Sequence, residues 1–161
     1  MGTPGIGKST WIKNHKNFFS ESVDIISRDK IRFSMLKDGE EYFSHETAVW
    51  NKFVKDSANA ISSVDNTIID ATHLNEASRA KILHALKSSL KDVEINAIYF
   101  KGSVETAIAR NEKREGFAYV PVSAIRRMAA SVTEPSFEEG FKKIYIIDVD
   151  NGDKITIKEQ A

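Results

Sequence analysis

The feature that most constrains this chain is Gly2-Thr3-Pro4-Gly5-Ile6-Gly7-Lys8-Ser9, which fits the spacing G-x-x-x-x-G-K-[ST]. Its glycines permit the φ/ψ values that curl successive backbone N–H groups around phosphate oxygens, and a helix starting near Lys8 adds its positive dipole end. Lys8 would reach the β- and γ-phosphates of a nucleotide, and the Ser9 hydroxyl would join a Mg²⁺ shell made otherwise of phosphate and water. A loop of this kind works only between a strand and a helix, and the helix follows it directly. Strand candidates are 23–26, 67–69, 93–100 and 144–149; helix candidates are 8–19, 29–36, 45–62, 76–90, 104–115 and 122–131. In 76–90 an apolar stripe runs through Ala80, Leu83, Leu86 and Leu90 with Asn75 as N-cap, and 37–41 reads as a loop from its charge and Gly39. Short β-rich runs alternating with helical patterns denote an α/β fold with a mostly parallel sheet.

Composition narrows the class. A chain of 161 residues is one domain on length alone, and no repeat, linker or low-complexity tract divides it. The 23 basic and 23 acidic side chains cancel, which excludes a histone-like protein or a disordered polyelectrolyte but leaves local charge open. Indeed residues 1–35, 71–91 and 101–127 each net +3, whereas 36–65 and 133–161 each net −3. The absence of Cys removes disulfides, thiolate metal sites and Cys nucleophiles, and the four His have no metal-ligand spacing. No apolar run approaches the ~18 residues of a membrane span and no signal-peptide pattern opens the chain, so a cytoplasmic location without membrane contact is expected.

Three further segments carry candidate chemistry. After the first strand, Asp29 could accept the proton of an acceptor hydroxyl, and Arg32, on the same helical face, could hold a substrate phosphate. The same pair also reads as a first-turn acid and a solvated arginine. Asp70, closing Thr67-Ile68-Ile69-Asp70, is either a carboxylate delivered beside the loop or an Asx turn. Arg110 and Arg114, four apart on a helix that breaks at Gly116, would project side by side as a lid over transferring phosphate, or form an ordinary basic helix end. His73 reads as loop structure. Near the C-terminus the apolar strand ends in an interrupted D-x-D, Asp148-Val149-Asp150-Asn151, and Asp150-Asn151-Gly152-Asp153 reads as a hairpin turn leading into 154–158.

Taken in order, Gly2 to Trp11, Arg28-Asp29 with Arg32, Asp70 to Asn75, and Arg110 to Arg114 followed by Val120-Pro121 resemble the P-loop polynucleotide 5′-hydroxyl kinases of the phage type and their relatives. The resemblance implies a P-loop NTPase three-layer sandwich, with ATP and Mg²⁺ held by Gly5, Gly7, Lys8, Ser9 and Thr10. It implies Asp29 as general base, Arg32, Asp70 and Thr72 on the acceptor, and Arg110 and Arg114 as arginines of a lid spanning about 110–121. Lys8, Asp29 and Arg114 would then be catalytic, Ser9 the metal ligand, and the 5′ end of DNA or RNA the partner, in a bacterial or phage-infected cell. Lys30 and His73 depart from the family pattern and bear on acceptor preference. A small hydroxyl acceptor such as a nucleoside or nucleotide sugar, or a nucleotide-binding module without turnover, are the competing functions. Specificity is expected from the helix around 50–61 and the loop after Asp70.

One piece of context is absent. A phosphate-binding loop needs a strand in front of it, normally central in the sheet, and only Met1 precedes Gly2. The expectation is a first strand missing from these residues, with Met1 at its end. Its two neighbours would face an unfilled slot with unpaired N–H and C=O groups.

Overall fold

A computed structural model describes residues 1–15, 18–19 and 22–160. The β-branched runs form the strands. β1 (Val23–Ser27) and β2 (Asn66–Asp70) pair in parallel, with Ile25 opposite Ile68 and Ser27 opposite Asp70. β3 (Asn96–Lys101) and β4 (Lys143–Asp148) also pair in parallel, and β5 (Lys154–Glu159) returns antiparallel along β4 through the expected hairpin. Helix α1 (Lys8–Asn14) precedes β1; α2 (Arg28–Met35) and α3 (Glu46–Ile61) cross from β1 to β2. Helix α4 (Glu76–Ala85) leads to β3, and α5 (Val104–Asn111) and α6 (Val122–Ala130) lead to β4. Among the described residues no helix is long and apolar enough to cross a membrane.

The strands alternate between two cores because successive side chains point to opposite faces. Ile25, Ile68, Ile98 and Ile147 meet Trp11, Ile12, Ala107 and Ile125 of α1, α5 and α6. Ile26 and Ile69 meet Ile31, Val49, Phe53, Ile82 and Leu86 from the α2–α4 side. A sheet apolar on both faces and covered on both is the middle of three layers, the α/β sandwich expected.

Three helices depart from their sequence patterns, the first being α1, which ends at Asn14 with His15 as its C-cap rather than running to 19. In α4 the expected apolar stripe began at Ala80, but Ala80 is exposed and Arg79 takes the inward position, only 2% exposed. Its guanidinium is forked onto Glu139 at 2.5 and 2.7 Å and donates to the carbonyl of Thr133, so the charge is paired where an apolar residue would otherwise sit. The helix is opened by Asn75 and Ser78, which exchange hydrogen bonds as a capping box, and it ends at Ala85 rather than Leu90. Helix α5 stops at Asn111, four residues short of Glu115, with consequences for the arginines described below.

The sheet is split. β2 and β3 are not hydrogen-bonded to each other, and between them lies a cavity of about 380 Å³ lined by Ile68, Asp70, His73, Leu86, Ile98 and Phe100, among others. Met1 occupies its end: the amine donates to the carbonyl of Ile98 at 2.7 Å, and its own carbonyl accepts from the Phe100 N–H at 3.0 Å. On the other side the Gly2 N–H donates to the carbonyl of Thr72. Met1 and Gly2 thus bridge β2 and β3 at the end nearest the phosphate-binding loop.

Burial at this cleft displaces two titrations. The Met1 amine falls to about 5, through burial first and the neighbouring Lys8 charge second, and His73 falls to about 3 for the same leading reason. The folded chain excludes the His73 proton over a range where the unfolded chain binds it, so His73 contributes stability that is present above about pH 6.5 and is lost as pH falls towards 3, by about 1.4 kcal/mol per pH unit. In chemical denaturation between pH 6.5 and 5, His73→Asn should flatten that slope; a slope that persists in the variant would assign it elsewhere.

Candidate nucleotide-binding site

Gly5 is required by both backbone and space, Gly7 by its backbone. Gly5 has φ +85, and a Cβ there would collide with the carbonyl oxygen of Ala107 in α5. Gly7 has φ +107, and its Cβ would lie 2.7 Å from Arg110 Nη1. The loop thus folds in left-handed conformations that favour glycine while lying directly on α5. Lys8 Nζ reaches back over it, donating to the carbonyls of Gly2 at 2.9 Å and Thr3 at 3.0 Å. Burial lowers the Lys8 pKa to about 8, although Asp70 and Asp29 pull it the other way. An ammonium so poorly solvated is poised to exchange carbonyl partners for phosphate oxygens.

The structure sorts the sequence-derived residues into two groups. Lys8, Ser9, Asp29, Arg32, Asp70, Thr72 and Arg114 all line one cavity of about 720 Å³. Gly5, Gly7, Thr10 and Arg110 do not: Gly5 is buried beneath the loop, Thr10 is exposed on the first turn of α1, and Arg110 braces the loop from behind by donating to the Ile6 carbonyl at 2.7 Å. Because α5 ends at Asn111, Arg110 and Arg114 do not project side by side as a continuous helix would place them. Only Arg114 follows the chain into the cavity. Buried Asn111 fixes that segment, its side-chain amide donating to the Val120 carbonyl and accepting from the Val120 N–H.

Asp70 stands at the end of β2, and Ser9 Oγ donates to its Oδ2 at 3.0 Å. A hydroxyl and a carboxylate side by side in a wet cavity are hard oxygen donors with room left for water and phosphate, which suits Mg²⁺. These two residues would hold the ion, so Asp70 adjoins the nucleotide side of the cavity as well as the acceptor side the resemblance implied.

Asp29 lies in the first turn of α2, its side chain 57% exposed. Its Oδ1 accepts from Arg32 Nη1 at 2.6 Å and from the Tyr42 hydroxyl at 3.0 Å. Arg32 is itself only 5% exposed, with Nη2 on Glu46 at 2.9 Å and the guanidinium over the Tyr42 ring. Burial opposes its charge, but the bond to Glu46 and the surrounding anions outweigh that and raise its pKa. Tyr42 is pushed up to about 12 by burial and by the Asp29 charge, so it stays a donor to Asp29. The guanidinium is thus committed to orienting carboxylates. Glu46 also binds Arg28.

Tyr42 and Glu46 were not singled out by the sequence: one follows a stretch read as loop from its charge, and the other looks like an ordinary first-turn acid of α3. Beyond Glu46, α3 does not line this cavity; Val49 and Phe53 are core, so the helix around 50–61 is not where the wall is built. Ala71 and Thr72, after Asp70, do line it.

Two outcomes test this geometry. Phosphate beside Lys8 should raise its pKa again, so ATP affinity should weaken as pH rises through 8, with net proton uptake on binding; calorimetry in buffers of different ionisation enthalpy reads this directly. Gly5→Ala should abolish ATP binding and cost about 1–3 kcal/mol of stability through overpacking against α5, seen as a lowered melting temperature.

The family comparison bears on the same residues. A family model described as an AAA domain, AAA_33, matches residues 1–135, a span that contains the phosphate-binding loop, Asp29, the Ser9–Asp70 pair and Arg114. The chain belongs to the AAA_33 family, a P-loop nucleotide-binding domain of α/β architecture.

Proposed function

We propose that this chain is an ATP-dependent kinase that moves the γ-phosphoryl group of ATP to the 5′-hydroxyl of a DNA or RNA strand. The observation that carries the reading is the position of Asp29, an oriented carboxylate on the wall of the cavity that also holds Lys8, Ser9 and Asp70. A nucleotide-binding module without turnover has no use for such a carboxylate facing the phosphate-binding loop.

In the reaction, the acceptor oxygen forms a bond to the γ-phosphorus as the bond to the β,γ-bridging oxygen breaks. Asp29 takes the hydroxyl proton and ADP departs with the electron pair. Transfer of this kind passes through a loose transition state, so positioning and charge neutralisation dominate. Arg32 and Tyr42 hold Asp29 in place; Lys8 and Arg114 meet the developing charge on the phosphates. Mg²⁺, when bound by Ser9 and Asp70, neutralises phosphate charge. Lys30 and Arg127 also line the cavity, and neither side chain is engaged by a carboxylate among the described residues, which suits an acceptor that carries phosphates of its own.

Incubation with γ-labelled ATP and a panel of 5′-hydroxyl DNA, RNA, nucleosides and small alcohols tests this. Label should appear on the oligonucleotides, and Asp29→Asn should reduce transfer by roughly 10²–10⁴ while ATP affinity holds. Label confined to small acceptors would replace the polynucleotide by a small hydroxyl compound. Full transfer by Asp29→Asn would remove Asp29 as the base.

A further inference from the structure

We infer that Phe43, Phe117 and Tyr119, backed by Phe33, form a stacking platform for the nucleobase of the acceptor's terminal nucleotide; the inference rests on the kinase reading above and specifies what that cavity recognises. Large apolar side chains are seldom left in water in clusters without a purpose. Among the described residues seven are exposed, and three of them, Phe43 at 62%, Tyr119 at 43% and Phe117 at 36%, line this single cavity. They come from separate segments: Phe33 from α2, Phe43 from the loop before α3, and Phe117 and Tyr119 from the stretch between α5 and α6. Convergence of rings from three parts of the chain on one opening is not explained by packing, since the core clusters contain none of them.

The chemistry of the wall selects among occupants. The rings of Phe33 and Phe117 lie 6.4 Å apart and 22° from parallel, and Phe43 stands edge-on to Tyr42 at 4.8 Å. Flat aromatic faces beside the unpaired cations Lys30 and Arg127 fit a molecule that is planar and aromatic at one end and anionic at the other. A nucleotide has that form; an aliphatic alcohol or a sugar lacks the ring. Stacking on protein aromatics tolerates any base because every base has a π-face, so the platform would fix the strand end without reading its sequence. The buried Arg32, committed to Asp29 and Glu46, leaves the strand's phosphates to Lys30 and Arg127.

The test uses a short 5′-hydroxyl oligonucleotide with 2-aminopurine as its terminal base, whose fluorescence is quenched by stacking. Binding to the full chain should quench it, and Phe43→Ala and Tyr119→Ala should relieve the quenching and raise the acceptor KM about 5- to 100-fold, with kcat at saturating acceptor retained. Phe43 is the more telling position because, at 62% exposed, its truncation removes little packing from the fold. For an acceptor with an abasic terminal nucleotide, the unaltered chain should already have the raised KM, and the two variants should add nothing. Equal KM values for abasic and intact acceptors, or variants that impair both alike, would overturn the platform while leaving the kinase reading intact. Quenching that depends on Phe43 without any phosphoryl transfer would uphold the platform and sink the kinase reading instead.

Discussion

The close approach of the phosphate-binding loop to α5 is the constraint on which the rest of the site depends. Only a glycine at position 5 lets the loop lie against the Ala107 carbonyl, and that approach lets Arg110 reach the Ile6 carbonyl from behind. The front of the loop is fixed from the other half of the fold, where Gly2 donates to Thr72 and Met1 pairs with Ile98 and Phe100. Residues 1–7 are therefore a seam between the β1–β2 pair and the β3–β4–β5 sheet. The cleft beyond Met1 concentrates the cost of that arrangement in one place, as two open strand edges and an amine forced to neutrality.

A second constraint sits across the cavity, where Arg32 organises the wall formed by Asp29, Tyr42 and Glu46. A buried guanidinium is costly unless its donors are met, and here Asp29, Tyr42 and Glu46 meet the two terminal nitrogens, while Nε is buried without a partner among the described residues. The result is mutual: the arginine gains partners, and Asp29 gains a fixed orientation with one oxygen committed and its exposed side chain facing the cavity. Removing Glu46 would release the guanidinium to bind Asp29 more strongly and so change the orientation of that carboxylate.

Much of this was legible in the sequence where the determining interactions are local. The loop motif, the Asp29–Arg32 spacing within one helix, the Asn75 cap and the β-branched strands depend on residues a few positions apart, and each formed as the spacing implied. The relations that escaped the sequence join distant segments. Ser9 and Asp70 are 61 positions apart, and nothing in either neighbourhood announces their bond. Tyr42 and Glu46 matter only because Arg32 is buried beneath them. Arg110 and Arg114 were misplaced relative to each other for a similar reason: their spacing is helical, but the helix ends at Asn111, whose side chain is held by the backbone of Val120 rather than left to continue the turn. The interrupted D-x-D near the C-terminus found a local use, with Asp150 accepting from the Ser103 N–H and the Thr106 hydroxyl at the start of α5.

That use of Asp150 completes a line of support through α5. Its first turn is held by Asp150, its middle presses Ala107 against Gly5, Arg110 braces the loop, and Asn111 at its end clamps Val120. The segment carrying Arg114, Phe117 and Tyr119 is thus anchored at both ends to the helix that shapes the phosphate-binding loop. A displacement of the loop on filling with nucleotide would be passed through Gly5 and Arg110 to α5, and from Asn111 to the wall bearing those aromatic rings. None of these residues borders the open cleft, so the phosphate-binding loop and the aromatic wall of the cavity are joined through one short helix by close contacts without an intervening void.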